Sequence, residues 1–102
     1  YIPFPDTGLE QRIIASRVPE MEARLRTQLV AFVQGLRGLD LKKLPAVSET
    51  IDWARTLVLL HARELDADLV RNTLNVLLKF QDDIDNVDGE VNALVAKAVQ
   101  AG

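Results

Sequence analysis

A run of acidic residues in the C-terminal third of the chain is the first candidate for chemistry, because carboxylates at fixed spacing bind calcium. Asn86, Asp88 and Gly89 fit the third, fifth and sixth positions of an EF-hand loop. The first and twelfth positions would then be Ile84 and Val95, which offer no oxygen ligand. The spacing therefore predicts no metal site. The acidic run is interpreted instead as the boundary between two helices.

The other polar candidates also favour structural roles. His61 is the only histidine and is predicted to lie mid-helix, and the chain has no cysteine to join it. Glu49, Thr50 and Asp52 stand at the start of a predicted helix, where acids and hydroxyls are favoured as caps. No pair of the five glycines has the spacing of a phosphate-binding loop. These residues predict no catalytic site in this chain.

Length and composition predict one globular domain. The chain has 102 residues, of which 48% are hydrophobic and 26% charged, and no apolar run is long enough to span a membrane. Residues 1–43 carry seven Lys/Arg and five Asp/Glu, a net of +2, whereas residues 44–102 carry five and ten, a net of −5. This acidic balance argues against nucleic acid as a partner.

The arginines of the first half have two interpretations. They form either a solvated helical surface or a basic edge that meets an acidic surface or a phosphate on another domain. The set comprises Arg12, Arg17, Arg24, Arg26 and Arg37.

Helical spacing recurs along the chain. A first helix is predicted from Asp6 or Thr7 to Val18, a second from Pro19 or Glu20 to Gly38, and a third capped by Ser48. Asp66 is expected to cap a fourth helix and Asp88 a last one. The predicted inward positions are Leu9, Ile13, Ile14, Met21, Leu25, Leu29, Phe32, Val33, Leu36, Ile51, Trp53, Ala54, Leu57, Val58, Leu60, Leu65, Val70, Leu74, Leu77, Leu78, Phe80, Val91, Leu94, Val95, Ala98 and Val99. Trp53 and Phe80 are expected to anchor the core. The fold class is therefore all-α, a small bundle of five to six helices.

Two segments resemble a known family. Pro45–Arg55, with the sequence PAVSETIDWAR, is similar to the Pro-Gly-Val-x-Glu-Thr-x-Asp-Trp-Ala segment in a branch of MoxR-type AAA+ ATPases. Thr73–Phe80, followed by acidic residues, resembles a second segment of the same C-terminal region. Tyr1–Pro5 is similar to the end of the last strand of the ATPase core domain. The likeness covers nearly the whole chain in order, up to about Val87.

The resemblance implies a C-terminal helical lid that closes over nucleotide. Residues 1–5 would be an extended tail from the end of an AAA+ core domain, and residues 6–102 the lid. The first residue is not Met, which is expected of a piece of a longer protein or of a processed product. The chain alone would bind no cofactor and would not be an enzyme. The parent protein would be a cytoplasmic ATPase that holds ATP and Mg²⁺ in its core domain.

The resemblance also implies partners: the core domain of the same chain, neighbouring subunits of a homo-oligomeric ring and a von Willebrand-type protein. Many AAA+ lids place a phosphate-sensing arginine, called sensor 2, at the position near Thr50. Glu49 and Thr50 stand there instead, so these two residues are the predicted nucleotide-facing site. Arg55 is more than one turn further on. Backbone and packing contacts, or an arginine from a neighbouring subunit, are then expected to sense the nucleotide.

A free-standing helical module is the alternative function. It would bind a partner helix in a groove between the second and third helices and have no ATPase role.

Overall fold

A computed structural model describes residues 4–102, and in this part of the chain all regular structure is α-helical. The all-α prediction is therefore confirmed. The Cα radius of gyration is 12.3 Å, as expected for one compact domain of this length. Phe4 and Pro5 precede the first helix, and the rest of the predicted tail lies outside the described residues. The six helices are α1 (Thr7–Arg17), α2 (Ala23–Leu36), α3 (Val47–Leu59), α4 (Ala67–Leu77), α5 (Gln81–Asp88) and α6 (Val91–Ala101).

Two aspartates cap helices as the sequence predicts. A carboxylate oxygen of Asp6 accepts a hydrogen bond of 2.8 Å from the backbone N–H of Leu9 at the start of α1. Asp66 accepts one of the same length from Leu69 at the start of α4. Each bond satisfies a backbone donor that has no partner inside the helix.

The prediction that the second helix begins at Pro19 or Glu20 is wrong. Val18 and Met21 are both buried, and the N–H of Met21 donates to the carbonyl of Val18 at 3.2 Å. A turn that places both side chains in the core delays α2 until Ala23. Burial of apolar surface thus decides this boundary over the preference of proline for a first helical turn.

The third helix also differs from its predicted bounds at both ends. Its N-cap is Ala46, whereas Ser48 lies within the first turn. The helix ends at Leu59, and His61 follows with a φ of 58°, so the prediction that His61 is mid-helix is wrong. The N–H groups of His61 and Ala62 donate to the carbonyls of Val58 and Leu57. This pair of bonds is a Schellman motif, with histidine where glycine is usual.

The acidic run forms α5 and does not merely separate two helices. Asp83 is fully buried, and its carboxylate accepts the backbone N–H groups of Lys42 at 2.8 Å and Lys43 at 3.1 Å. The run therefore folds as a helix that anchors the loop before α3. Asp88 is its last residue, so the prediction that Asp88 caps the final helix is wrong, and Glu90 holds that position.

The core forms around α2, which packs against α1, α3 and α6. Phe32 of α2 meets Trp53 of α3 with ring centroids 5.3 Å apart. The buried Trp53 indole N–H donates to the Thr73 hydroxyl of α4 at 2.8 Å. Most of the predicted inward positions are buried or half-buried. Those that are not are Leu9, Leu60 and Phe80, which are 42%, 54% and 46% exposed.

Candidate functional site

Glu49, the first predicted site residue, lies in the opening turn of α3. Its carboxylate accepts a hydrogen bond from the Ala46 N–H at 3.0 Å and another from the Ser48 hydroxyl at 2.6 Å. The bond from Ser48 lowers the pKa of Glu49 most. The bond from Ala46 and the charges of Lys79 and Lys43 lower this pKa further, against partial burial. Both carboxylate oxygens are therefore engaged within the chain.

Thr50, the second predicted site residue, is fully buried. Its hydroxyl donates to the carbonyl of Ala46 at 3.2 Å and accepts a hydrogen bond of 3.3 Å from the Arg37 guanidinium. The structure thus brings Glu49 and Thr50 together at the start of α3. Thr50 faces the interior of the bundle, where its hydroxyl is satisfied.

Arg37, just after α2, is the centre of a buried polar cluster. Its Nη1 and Nη2 atoms donate to the two carboxylate oxygens of Glu10 on α1, each at 2.8 Å. The Arg37 side chain is 7% exposed and that of Glu10 is fully buried. Such a two-pronged pair matches the planar guanidinium to a carboxylate and fixes its orientation. Arg37 therefore holds α1 against the end of α2.

Two further contacts of Arg37 reach the segments on either side. Its Nε atom donates to the carbonyl of Pro45 at 2.9 Å, and its guanidinium lies over the Phe4 ring, 4.7 Å from the ring centre. The Gln34 amide donates to Glu10 at 2.8 Å and to the carbonyl of Pro5 at 3.1 Å. This Arg37 network, made by the side chains of Phe4, Glu10, Gln34, Arg37 and Thr50 with the carbonyls of Pro5 and Pro45, joins the segment before α1 to the start of α3.

Sequence reasoning missed this network. The sequence pattern places Arg37 with the arginines of a solvated or partner-facing surface and predicts no role for Glu10. Arg37 is buried, although Arg24 does lie at the surface, paired with Glu64 at 3.0 Å. One local signal existed, since Glu10 is one helical turn before Ile14 and so shares its buried face. No local signal marks Arg37, because its partner is 27 residues away.

Arg55 is not part of this network. It is exposed and lines a groove with Glu20, Val58 and Leu59 on the C-terminal half of α3. Thr50 is buried in the opening turns of α3, whereas Arg55 lies in the C-terminal half of that helix.

A second cleft lies between the start of α2 and the end of α3. It has a volume of about 280 Å³, with Met21, Leu25 and Val58 as its apolar lining and Glu20, Glu22, His61 and Arg63 among the polar residues around it. Among the described residues, no group of three or more His, Asp or Glu side chains could hold a metal ion. His61 is thus a cleft residue beside two acids and a guanidinium, with no metal site around it.

The Arg37 network is internally satisfied, and the cleft holds no nucleophile beside a base. Within residues 4–102, no helix is long and apolar enough to cross a membrane. Comparison with protein-family models, with curated proteins and with solved structures found no match to this chain.

Proposed function

We propose that this chain is the C-terminal lid subdomain of a MoxR-type AAA+ ATPase, which closes over ATP and Mg²⁺ held by a core domain. One observation carries the proposal. The segment that resembles the family forms the loop and first turns of α3, and the Arg37 network ties it to Phe4 and Pro5. A lid needs this link, because the chain from the core domain and the nucleotide-facing turn must move as one body.

Glu49 and Thr50 have a positioning role in this proposal. Their side-chain oxygens are already hydrogen-bonded within the chain. Other groups at this end of α3 would therefore bind the phosphate. The start of a helix carries backbone N–H groups without intrahelical partners, which favour negative charge. Lys43 and Lys79 add positive charge near Glu49. These groups, or an arginine from a neighbouring subunit, would replace the usual sensor-2 arginine.

The proposal extends to the parent protein. Hydrolysis by the core domain of the same chain would rotate the lid as a rigid body and drive chaperone-like remodelling or cofactor insertion in other proteins. The lid would contact neighbouring subunits of a homo-oligomeric ring in the cytoplasm, and a von Willebrand-type protein would be a further partner. The chain alone would supply cover and contacts, with no catalytic residue of its own.

Titration calorimetry of the 102-residue chain with Mg-ATP tests the lid proposal. We expect no hydrolysis and a dissociation constant for Mg-ATP above about 1 mM, because the phosphate-binding loop belongs to the core domain. Binding in the micromolar range would contradict the proposal.

The coding sequence before Tyr1 gives an independent test: the proposal requires a GxxxxGK[ST] loop and a Walker-B acidic strand there.

The cleft between α2 and α3 favours a second candidate, a free-standing module that binds a partner helix. Met21, Leu25 and Val58 offer apolar contacts there. Its volume of about 280 Å³ suits one or two side chains, whereas a bound helix needs anchors over several turns. A protein whose native start lies near Tyr1 would favour the module over the lid.

A further inference from the structure

The end of α3 exposes two leucines, one of which lines a groove. Leu59 is 78% exposed and Leu60 54% exposed, the highest values among the large hydrophobic side chains of the described residues. The groove has a volume of about 380 Å³ and is lined by Glu20, Arg55, Val58 and Leu59. We call these four residues the Leu59 surface. Adjoining exposed apolar side chains with a charged border are typical of an interaction site.

We propose that the Leu59 surface pairs with the same surface of a second copy of this chain, around a two-fold axis. In such a pair each surface meets itself, so a projecting side chain and its receiving groove must adjoin on one copy. Leu59 is 78% exposed and also lines the groove, so an exposed apolar side chain and a groove adjoin on one copy. A cavity of about 150 Å³ already holds a benzene molecule, so this groove has room for the leucine of the partner.

The charges of the groove are self-complementary. Glu20 and Arg55 are both exposed and border the same groove. A two-fold axis that passes between Glu20 and Arg55 brings Glu20 of each copy toward Arg55 of the other, so both copies gain an opposite charge. A partner with a single sign of charge would be attracted by one of these residues and repelled by the other. The mixed border therefore favours a second copy over a uniformly acidic or basic partner.

The pairing goes beyond the lid proposal and does not rest on it. Subunits of a ring meet through two different surfaces, whereas the Leu59 surface would meet itself. The surface is also small, so we expect a weak dimer with a dissociation constant of about 10 µM to 1 mM.

Sedimentation equilibrium of the 102-residue chain tests the pairing directly. Between about 10 µM and 2 mM, we expect the mean mass to rise from 11.3 kDa toward twice that value. Leu59→Ser should keep the mass at 11.3 kDa, and its thermal unfolding should match wild type, because Leu59 is exposed. Leu9→Ser is the matched control: Leu9 is also exposed, but on α1, so this variant should associate like wild type. Wild type that stays monomeric throughout, or Leu59→Ser that still dimerises, would overturn the proposal.

Two charge reversals test the geometry of the pair. Glu20→Arg alone and Arg55→Glu alone should each raise the dissociation constant about tenfold, because like charges then face each other. A mixture of these two variants should restore association, since every contact across the axis again joins opposite charges. Association through any other surface would leave the mixture no tighter than its components, and that result would overturn the two-fold arrangement.

Discussion

The Arg37 guanidinium donates two hydrogen bonds to the Glu10 carboxylate inside the bundle, each with an N–O distance of 2.8 Å. Glu10 and Ile14 are the buried residues of α1. A buried isoleucine and a buried ion pair therefore help to hold α1 against the bundle, beside the half-buried Ile13. The same guanidinium bonds to Pro45 and Thr50, so α1 and the start of α3 depend on one side chain.

Replacing Arg37 by methionine should lower the free energy of unfolding by about 3–5 kcal/mol, because Glu10 is left buried and unpaired. Urea denaturation followed by circular dichroism measures this change. The exposed pair Arg24 and Glu64 provides the control, since Arg24→Met should cost less than about 1 kcal/mol.

The double variant Glu10→Gln with Arg37→Met distinguishes the cost of an unpaired buried charge from the cost of losing the arginine side chain. It should be more stable than Arg37→Met alone, because the buried charge of Glu10 is gone. An Arg37→Met chain within about 1 kcal/mol of wild type would contradict the role given to this pair.

Thr73→Val should lower the free energy of unfolding by about 1–3 kcal/mol, because the buried Trp53 N–H then loses its acceptor. Valine has nearly the shape of threonine, so packing changes little. Trp53 is the only tryptophan, and its fluorescence should report the altered surroundings of the indole. Thr56→Val is the matched control, since the half-buried Thr56 makes only a solvent-exposed side-chain bond, to the carbonyl of Asp52 in its own helix. Equal effects in both variants would contradict the prediction.

The parts of the fold that the sequence predicts are those with local causes. Asp6 and Asp66 cap helices through a bond to a residue three positions on, and the apolar spacing of α2 lies within one helix. Such short-range patterns fix the helix type and the buried face. They predict the all-α class and most of the core.

The features that sequence reasoning missed have distant causes. The buried carboxylate of Asp83 accepts hydrogen bonds from the backbone N–H groups of Lys42 and Lys43, about 40 residues earlier. No local pattern therefore identifies the acidic run as an anchored helix. Arg37 likewise finds Glu10 only when α1 and α2 pack together. The placement of Glu49 and Thr50 at the start of α3 is predictable, whereas the bond of Thr50 to the distant Arg37 is not.

Glu49 should make stability depend on pH in the acid range. Its pKa is lowered in the folded chain, mainly by the hydrogen bond from Ser48. This contribution is therefore complete above the ordinary value of 4.5 and is lost as the pH falls through the lower folded value. Glu49→Gln should be less stable than wild type near neutral pH, by less than about 1 kcal/mol, and this difference should shrink below pH 4.5.

Nuclear magnetic resonance titration of the Glu49 carboxyl group measures the same effect directly. Ser48→Ala should bring the pKa of Glu49 back toward its ordinary value, because it removes the largest cause of the shift. A pKa that does not respond to Ser48→Ala would contradict this assignment.

His61→Gly should raise the free energy of unfolding by about 1 kcal/mol. The φ of His61 is 58°, a conformation that strains a residue with a side chain and suits glycine. The larger entropy of glycine in the unfolded chain offsets part of this gain. His61→Ala provides the control, since alanine keeps the strain and also removes the imidazole, so it should not stabilise the chain. Thermal and urea unfolding of the two variants measure the difference. Equal stability of the two variants would show that the turn after α3 does not hold residue 61 in the left-handed conformation.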